Sequence, residues 1–241
     1  MAKHSKRYLE ARAQIDRERE YEPAEAVGLI TSMPHTKFNE SVELHVRTGL
    51  NVRHADEQLR GTNALPHGLG KDVTIAVIAQ GDKAREAEEA GADFVGADDL
   101  AKKIEDGWTD FDVAIAPPDM MPVGRKLGRV LGPQGKMPNP KVGTVTMDVA
   151  KAVEESKAGK IEYRTDRTAI VHLIIGKTSF EDRALLENYA AVIEELVRAK
   201  PAVAKGRYIR SITMASTMGP GVKIDPSRTR DILEEAATAA A

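Results

Sequence analysis

The hydrophobic period of this 241-residue chain changes twice along its length, and that change constrains the fold more than anything else in the sequence. Over residues 38–46, Val42, Leu44 and Val46 alternate with Ser41, Glu43 and His45, the pattern of a strand with one wet face. Over residues 73–79 the run Val-Thr-Ile-Ala-Val-Ile-Ala is almost wholly apolar, as in a strand covered on both faces. A charged helix over 82–90, a short strand over 92–95, a helix over 98–106 and a strand over 111–116 follow. Strands alternating with helices of this length predict βαβ units and a parallel sheet. From Lys160 the period of two returns. The two chain ends share one style and the middle has another, so the sequence predicts an α/β protein in which one domain is inserted into another. The expected boundaries are residues 1–68 plus 160–241 for the outer domain and 69–159 for the inserted one. The turn-rich Leu65-Pro66-His67-Gly68-Leu69-Gly70-Lys71 marks one junction and Gly159 the other, and both are expected to act as hinges.

Local signals fill in the rest. Helix formers dominate residues 8–19, and Pro23 opens a second helix. A helical stretch over 119–131 leads into the densest group of breakers in the chain, Gly132-Pro133-Gln134-Gly135-Lys136-Met137-Pro138-Asn139-Pro140. Asp148 caps a helix running to about Ala158. Residues 160–164 and 169–173 flank Thr165-Asp166-Arg167-Thr168 as an antiparallel hairpin. A helix over 180–199, with apolar residues at 185, 186, 189, 193, 196 and 197, ends at Pro201. The last strand is expected over 208–217, and the alanine-rich acidic tail is expected to fray.

Charge is distributed as unevenly as pattern. The formal net charge is only −2, which speaks against a binder recognised by bulk charge. Residues 71–116, however, carry 5 basic against 12 acidic side chains, and residues 200–230 carry seven basic side chains opposed by Asp225 alone. Asymmetry of this kind points toward nucleic acid.

Several chemistries are excluded. Without cysteine there are no disulfides, thiolate nucleophiles, zinc fingers or iron–sulfur clusters, and the composition suits a reducing cytoplasm. Apolar runs are too short to span a bilayer, and residues 1–8 do not lead into a signal peptide, so no membrane partner is expected. The nucleotide fingerprint Gly-x-Gly-x-x-Gly does not occur, and the nearest P-loop candidate, Gly135-Lys136, has Val130 where the first glycine is needed and Met137 where Ser or Thr is needed. The six histidines have no zinc-helix spacing, and no Gly-x-Ser-x-Gly elbow exists. Paired carboxylates such as Glu88-Glu89 and Glu194-Glu195 sit on charged helices and read as solvated surface; His45 and His172 read as structural or solvent-facing. No enzyme activity, cofactor or metal is expected.

What remains is a set of basic and small polar residues at strand ends and turns. Lys37 and Phe38 open the first strand, on which Ser41 and Glu43 share a face. Arg164, Asp166, Arg167 and Thr168 surround the hairpin turn, and the last strand carries Ser211 and ends at Thr217-Met218-Gly219. Arg and Lys can supply phosphate contacts, while hydroxyls and glycine backbone can approach 2′-hydroxyls. By pattern alone these same residues also describe an ordinary sheet surface. With only 4% aromatics, a folded RNA read by shape fits better than bases stacked on a sheet.

Longer motifs give a resemblance. Lys3-His4-Ser5-Lys6-Arg7-Tyr8, Lys37-Phe38-Asn39-Glu40-Ser41-Val42-Glu43, the stretch from Arg60-Gly61 to Lys71, Glu89-Ala90-Gly91-Ala92-Asp93-Phe94-Val95-Gly96, residues 131–141, Gly176-Lys177 and Thr217-Met218-Gly219-Pro220 together resemble the family of bacterial large-subunit ribosomal protein one. The resemblance covers the chain apart from its tail. One departure is Asn51-Val52, where the family often has Asp-Pro. The resemblance implies a discontinuous α/β sandwich formed by both chain ends and an inserted Rossmann-like parallel-sheet domain. It implies a monomer on the large ribosomal subunit in the cytoplasm, bound to ribosomal RNA at the mobile stalk. The family's RNA contacts map onto Lys37, Phe38, Ser41, Glu43, Arg164, Asp166, Arg167, Thr168, Ser211, Thr217, Met218 and Gly219. On RNA, Glu43 and Asp166 are expected to accept from 2′-hydroxyls or base amines, or to orient neighbouring cations. The resemblance further implies help in releasing deacylated transfer RNA from the exit site, and repression of its own operon through its messenger RNA.

Overall fold

A computed structural model describes residues 4–34, 36–229 and 232. In chain order, α1 (Lys6–Ala13), α2 (Pro23–Ser32), β1 (Ser41–Thr48) and β2 (Arg60–Ala64) come first. Next are β3 (Ile75–Ile78), α3 (Asp82–Glu89), β4 (Phe94–Gly96), α4 (Asp98–Glu105), β5 (Val113–Ile115), α5 (Met121–Gln134) and α6 (Val149–Lys157). The chain closes with β6 (Lys160–Arg164), β7 (Ile170–Lys177), α7 (Asp182–Arg198), β8 (Ile209–Ser216) and β9 (Val222–Ile224). It divides into two compact units, Met1–Gly70 with Ile161–Ala241, and Lys71–Lys160.

The first unit is built on a four-stranded sheet of order β7-β1-β8-β9. Its neighbours are antiparallel, with Leu44 opposite Leu173 and Met214, and His45 opposite His172 and Thr213. The alternation read over 38–46 is realised from Ser41 onward: Val42, Leu44, Val46 and Thr48 are buried, and the residues between them are not. Val171, Leu173, Ile175, Ile212 and Met214 join that inner face. They form one core with Val27 and Ile30 of α2 and Leu185, Tyr189 and Ile193 of α7. Among the described residues the other face is open: Ser41, Glu43 and His45 on β1 are partly exposed, and Arg47, with His172 and Ile174 of β7, is exposed. Asn188, fully buried on α7, accepts from the His67 backbone N–H at 3.0 Å and donates to the carbonyls of Gly68 and Ile175. Two of these bonds hold the turn after β2, and the third ties the same side chain to β7.

The second unit is a three-stranded parallel sheet of order β4-β3-β5, the βαβ arrangement read from the sequence. All four residues of β3 are buried, because helices cover both faces. Ala76 and Ile78 pack with Leu100, Ile104, Phe111, Leu127 and Leu131 on one side, and Ile75 and Val77 with Ala87, Val149 and Val153 on the other.

Four local expectations need correction. The first helix stops at Ala13, short of Arg19, because Asp16 turns the chain by accepting from the Glu18 N–H while its own N–H goes to the Tyr21 hydroxyl. The helix read over 119–131 runs on through Pro133 to Gln134 and closes at Gly135 with φ 72°. Pro133 stands next to last in the helix, and Gly132, with no side chain, eases the crowding a proline imposes on its predecessor. The hairpin over 160–173 forms only its turn: β6 pairs with β2 and β7 with β1. Ala169, with φ 62°, and the Thr165 N–H donated to the Leu59 carbonyl send the two strands into different sheets. Finally, β8 is not the last strand, since β9 pairs with it beyond the Gly219–Gly221 turn. The tail lies outside the described residues except Ile232.

Candidate nucleic-acid interface

The candidate residues gather mostly on and around the open face of the four-stranded sheet, in two groups at opposite ends. At one end the loop 36–40 enters β1 beside the turn that leaves β8. Phe38 is half exposed there, as is Met218, both unusual for large apolar side chains. Thr217 clamps the two strands: its Oγ1 accepts from the Ser41 N–H at 3.0 Å, and its own N–H donates to the Ser41 carbonyl at 3.0 Å. Lys177, at the end of β7, donates to Ser41 Oγ at 2.8 Å. A Cβ on Gly219 would stand 2.3 Å from Ser216 Oγ, so any other residue there would force that hydroxyl aside.

A residue outside the sequence-derived set holds this end together. Glu40 is buried to 1% exposure, with Oε1 accepting from the Thr36 N–H at 2.7 Å and Oε2 from the Met218 N–H at 3.0 Å. Burial alone would raise its pKa. The backbone donors of Thr36 and Met218, with the hydroxyls of Thr36 and Ser216, outweigh burial and bring it to about 2. One ionised carboxylate therefore joins the loop bearing Lys37 and Phe38 to the turn bearing Met218 and Gly219. In the sequence Glu40 stands inside the motif at 37–43, with nothing beside it to show its burial. The available signal was its place just before the alternation begins, where the chain turns inward.

At the other end lie Ser211, exposed opposite Arg47 across β8 and β1, and the turn 165–169. Asp166 builds that turn. Its Oδ1 accepts from the N–H groups of Thr168 at 2.8 Å and Ile170 at 2.7 Å, and its Oδ2 from the Thr168 hydroxyl at 2.6 Å. Burial would raise this carboxyl too, but those donors hold it at about 2. Asp166 is thus already occupied as a turn former, and Arg167 and Thr168 are the exposed members of the group. Arg164 stands apart, exposed on β6 in the separate two-stranded sheet. Arg47 lies six positions along the strand from Ser41, so the two ends are roughly 20 Å apart.

Glu43 bridges the ends on the open face of β1, and beside it sequence reasoning missed a feature altogether. His45 and His172, one on each of two adjacent strands, meet with their Nδ1 atoms 2.9 Å apart. Period two places each histidine on its strand's wet face, but only the register between strands brings together residues 127 positions apart.

The second unit offers less. Asp82 stands in the first turn of α3, and Asp98 and Asp99 in that of α4. The helix N-termini that follow β3 and β4, where a nucleotide phosphate would sit in such a fold, already hold carboxylates. Among the described residues no three His, Asp or Glu side chains gather to hold a metal ion, and no helix is long and apolar enough to cross a membrane.

Comparison with known families meets this geometry. The sequence model of the Ribosomal protein L1p/L10e family matches residues 30–220, which span three of the four strands of the open sheet (β1, β7 and β8), the inserted parallel-sheet unit and the turn at 217–219. The chain belongs to the Ribosomal protein L1p/L10e family, structural proteins of the large ribosomal subunit that bind its RNA.

Proposed function

We propose that the open face of the four-stranded sheet and its rim bind a folded segment of large-subunit ribosomal RNA at the mobile stalk. The observation that carries this reading is convergence: loop 36–40, the outward residues of β1, the turn 165–169 and the turn 217–219 come from distant parts of the chain and frame one uncovered surface. Sheets with one face on a core normally leave the other to solvent or to a partner. Here the rim carries Lys37, Arg167 and Lys177, the exposed Phe38 and Met218, and the exposed residues Ser211, Thr168 and Thr217. Cations supply the salt-dependent phosphate term, and hydroxyls and turn backbone can read sugar and groove shape. Arg164, Asp166 and Gly219 complete the proposed set, with Ser41 and Glu43 on the strand itself.

In this reading the protein acts without a cofactor, as a monomer within the cytoplasmic large subunit. The first unit supplies RNA affinity, and the inserted unit supplies a contact to deacylated transfer RNA leaving the exit site. A messenger segment that reproduces the ribosomal site would occupy the same face and repress the protein's own operon. The test is binding of the purified protein to the stalk fragment of ribosomal RNA and to an unrelated hairpin across a salt series. Strong preference for the stalk fragment, with affinity falling steeply as salt rises, is expected. Equal affinity for both RNAs, or indifference to salt, refutes the reading.

A further inference from the structure

His45 and His172 are directly opposite one another in β1 and β7, their rings edge to face with centroids 5.0 Å apart. At 2.9 Å, the two Nδ1 atoms have room for one proton between them, donated by one ring and accepted by the other. Each ring turns its remaining nitrogen toward a carboxylate: His45 Nε2 is 3.7 Å from Glu43 Oε2, and His172 Nε2 is 3.6 Å from Asp166 Oδ2. The arrangement therefore has places for three protons on four nitrogens: one shared, and one facing each carboxylate. Two neutral imidazoles bring only two. Filling all three places gives the pair a single positive charge, and a fourth proton would set two N–H groups against each other.

Among the described residues the other charges around the pair are few. Along the open face of β1, Glu43 and Arg47 flank His45; on β7 the outward neighbours of His172 are Ile170 and Ile174, and Asp166 reaches it from the turn. On β8 the partner of His45 is Thr213, and beyond it on β9 lies Lys223, whose Nζ donates to the Arg17 carbonyl. One carboxylate, Glu43, thus lies in the middle of a face that, on the reading above, meets a polyanion, and a second, Asp166, reaches the pair from the turn at its end. Asp166 stays ionised because its turn bonds require it.

We propose that the His45–His172 pair is a proton-binding site of the RNA face, taking up one proton as RNA docks and so offsetting Glu43 and Asp166 beneath the phosphates. This rests on the RNA-binding reading and adds the linkage to it. In the free protein, burial and the neighbouring His172 work against a charge on His45, while Glu43 works for it, so the pair's proton is not already fixed in place. Arriving phosphates tip that balance. The sign follows: the complex holds more protons than the free components, so RNA affinity falls as pH rises, by at most tenfold per pH unit for one proton.

The test uses the full chain and the stalk fragment of ribosomal RNA, with titration calorimetry at pH 6, 7 and 8 in two buffers of different ionisation enthalpy. The wild-type protein is expected to take up a sizeable fraction of one proton per complex, and to lose roughly three- to tenfold in affinity between pH 6 and 8. His45→Gln, which keeps a hydrogen bond to His172 available but removes the titrating pair, is expected to abolish the uptake and flatten the slope. Binding of the wild type without proton uptake overturns the proposal with no variant needed. An unchanged uptake in His45→Gln overturns it equally. Absence of stalk binding at every pH instead removes the RNA reading, and this linkage with it.

Discussion

Replacing Glu40 by glutamine is the sharpest single test of how the candidate face is held in shape. The side chain keeps its size but loses its charge, and one of its two oxygens becomes an amide nitrogen. Glu40 accepts from two backbone N–H groups, those of Thr36 and Met218, one on each oxygen. An amide can satisfy only one of them, so the other N–H is left buried against a donor. An unpaired buried donor costs ~1–3 kcal/mol. A second route to the magnitude is the pKa: its fall from 4.5 to about 2 corresponds to about 3 kcal/mol favouring the ionised, folded state. The two routes agree on a loss of about 2–3 kcal/mol at neutral pH. The sign with pH is fixed as well. A carboxyl whose folded pKa is depressed contributes fully above its unfolded value near 4.5, and loses that contribution as pH falls toward about 2. Chemical denaturation of wild type and Glu40→Gln at pH 7 and near pH 3 measures both effects. The difference is expected to be large at pH 7 and to shrink markedly at pH 3. Equal stability at pH 7, or a deficit that does not change with pH, would refute the brace, since either result means the carboxylate is not what joins loop 36–40 to the 217–219 turn.

Thr217→Val removes the hydroxyl that accepts the Ser41 N–H, and is expected to cost about 1 kcal/mol of stability and to weaken RNA binding, read by denaturation and by the salt-series titration. Asn188→Ala strips three hydrogen bonds from a fully buried site, and a loss of about 2–4 kcal/mol in denaturant unfolding is expected. Arg167→Ala is expected to weaken binding to every RNA alike and to lower the salt slope by about one, leaving folding unchanged; a sequence-selective loss would contradict a phosphate contact.

The larger organisation was legible because it rests on period. Alternation at residues 42–46 and the apolar run at 73–79 each demand a particular burial, and the strands that carry them have it. What sequence did not reveal is pairing. Arg60-Gly61-Thr62-Asn63-Ala64 has no apolar rhythm, and it becomes β2 only because β6 lies beside it. The three residues of β9 are too few to show a period. The same divide runs through the candidate interface. Small polar residues at strand ends could be picked out singly, yet the Thr217–Ser41 clamp, the Glu40 brace and the histidine pair all depend on contacts across more than a hundred positions. Asp166 shows the converse: an acidic residue in a turn reads as free to meet a ligand, whereas its oxygens are taken up by the turn's own N–H and hydroxyl groups.

The central place of β1 has a consequence for how the protein is made. A strand near the amino end sits between two that are translated late, and Thr48 finds its bonded neighbour Ala169 only 121 positions downstream. During synthesis both edges of β1 wait unpaired, while residues 71–160 emerge as one continuous stretch able to complete their own parallel sheet first. Once that unit has folded, the segment separating β1 from β7 is no longer a long flexible loop, and the entropy of closing the outer sheet falls accordingly. The inserted unit thus doubles as a spacer that shortens the search between the two ends of its host.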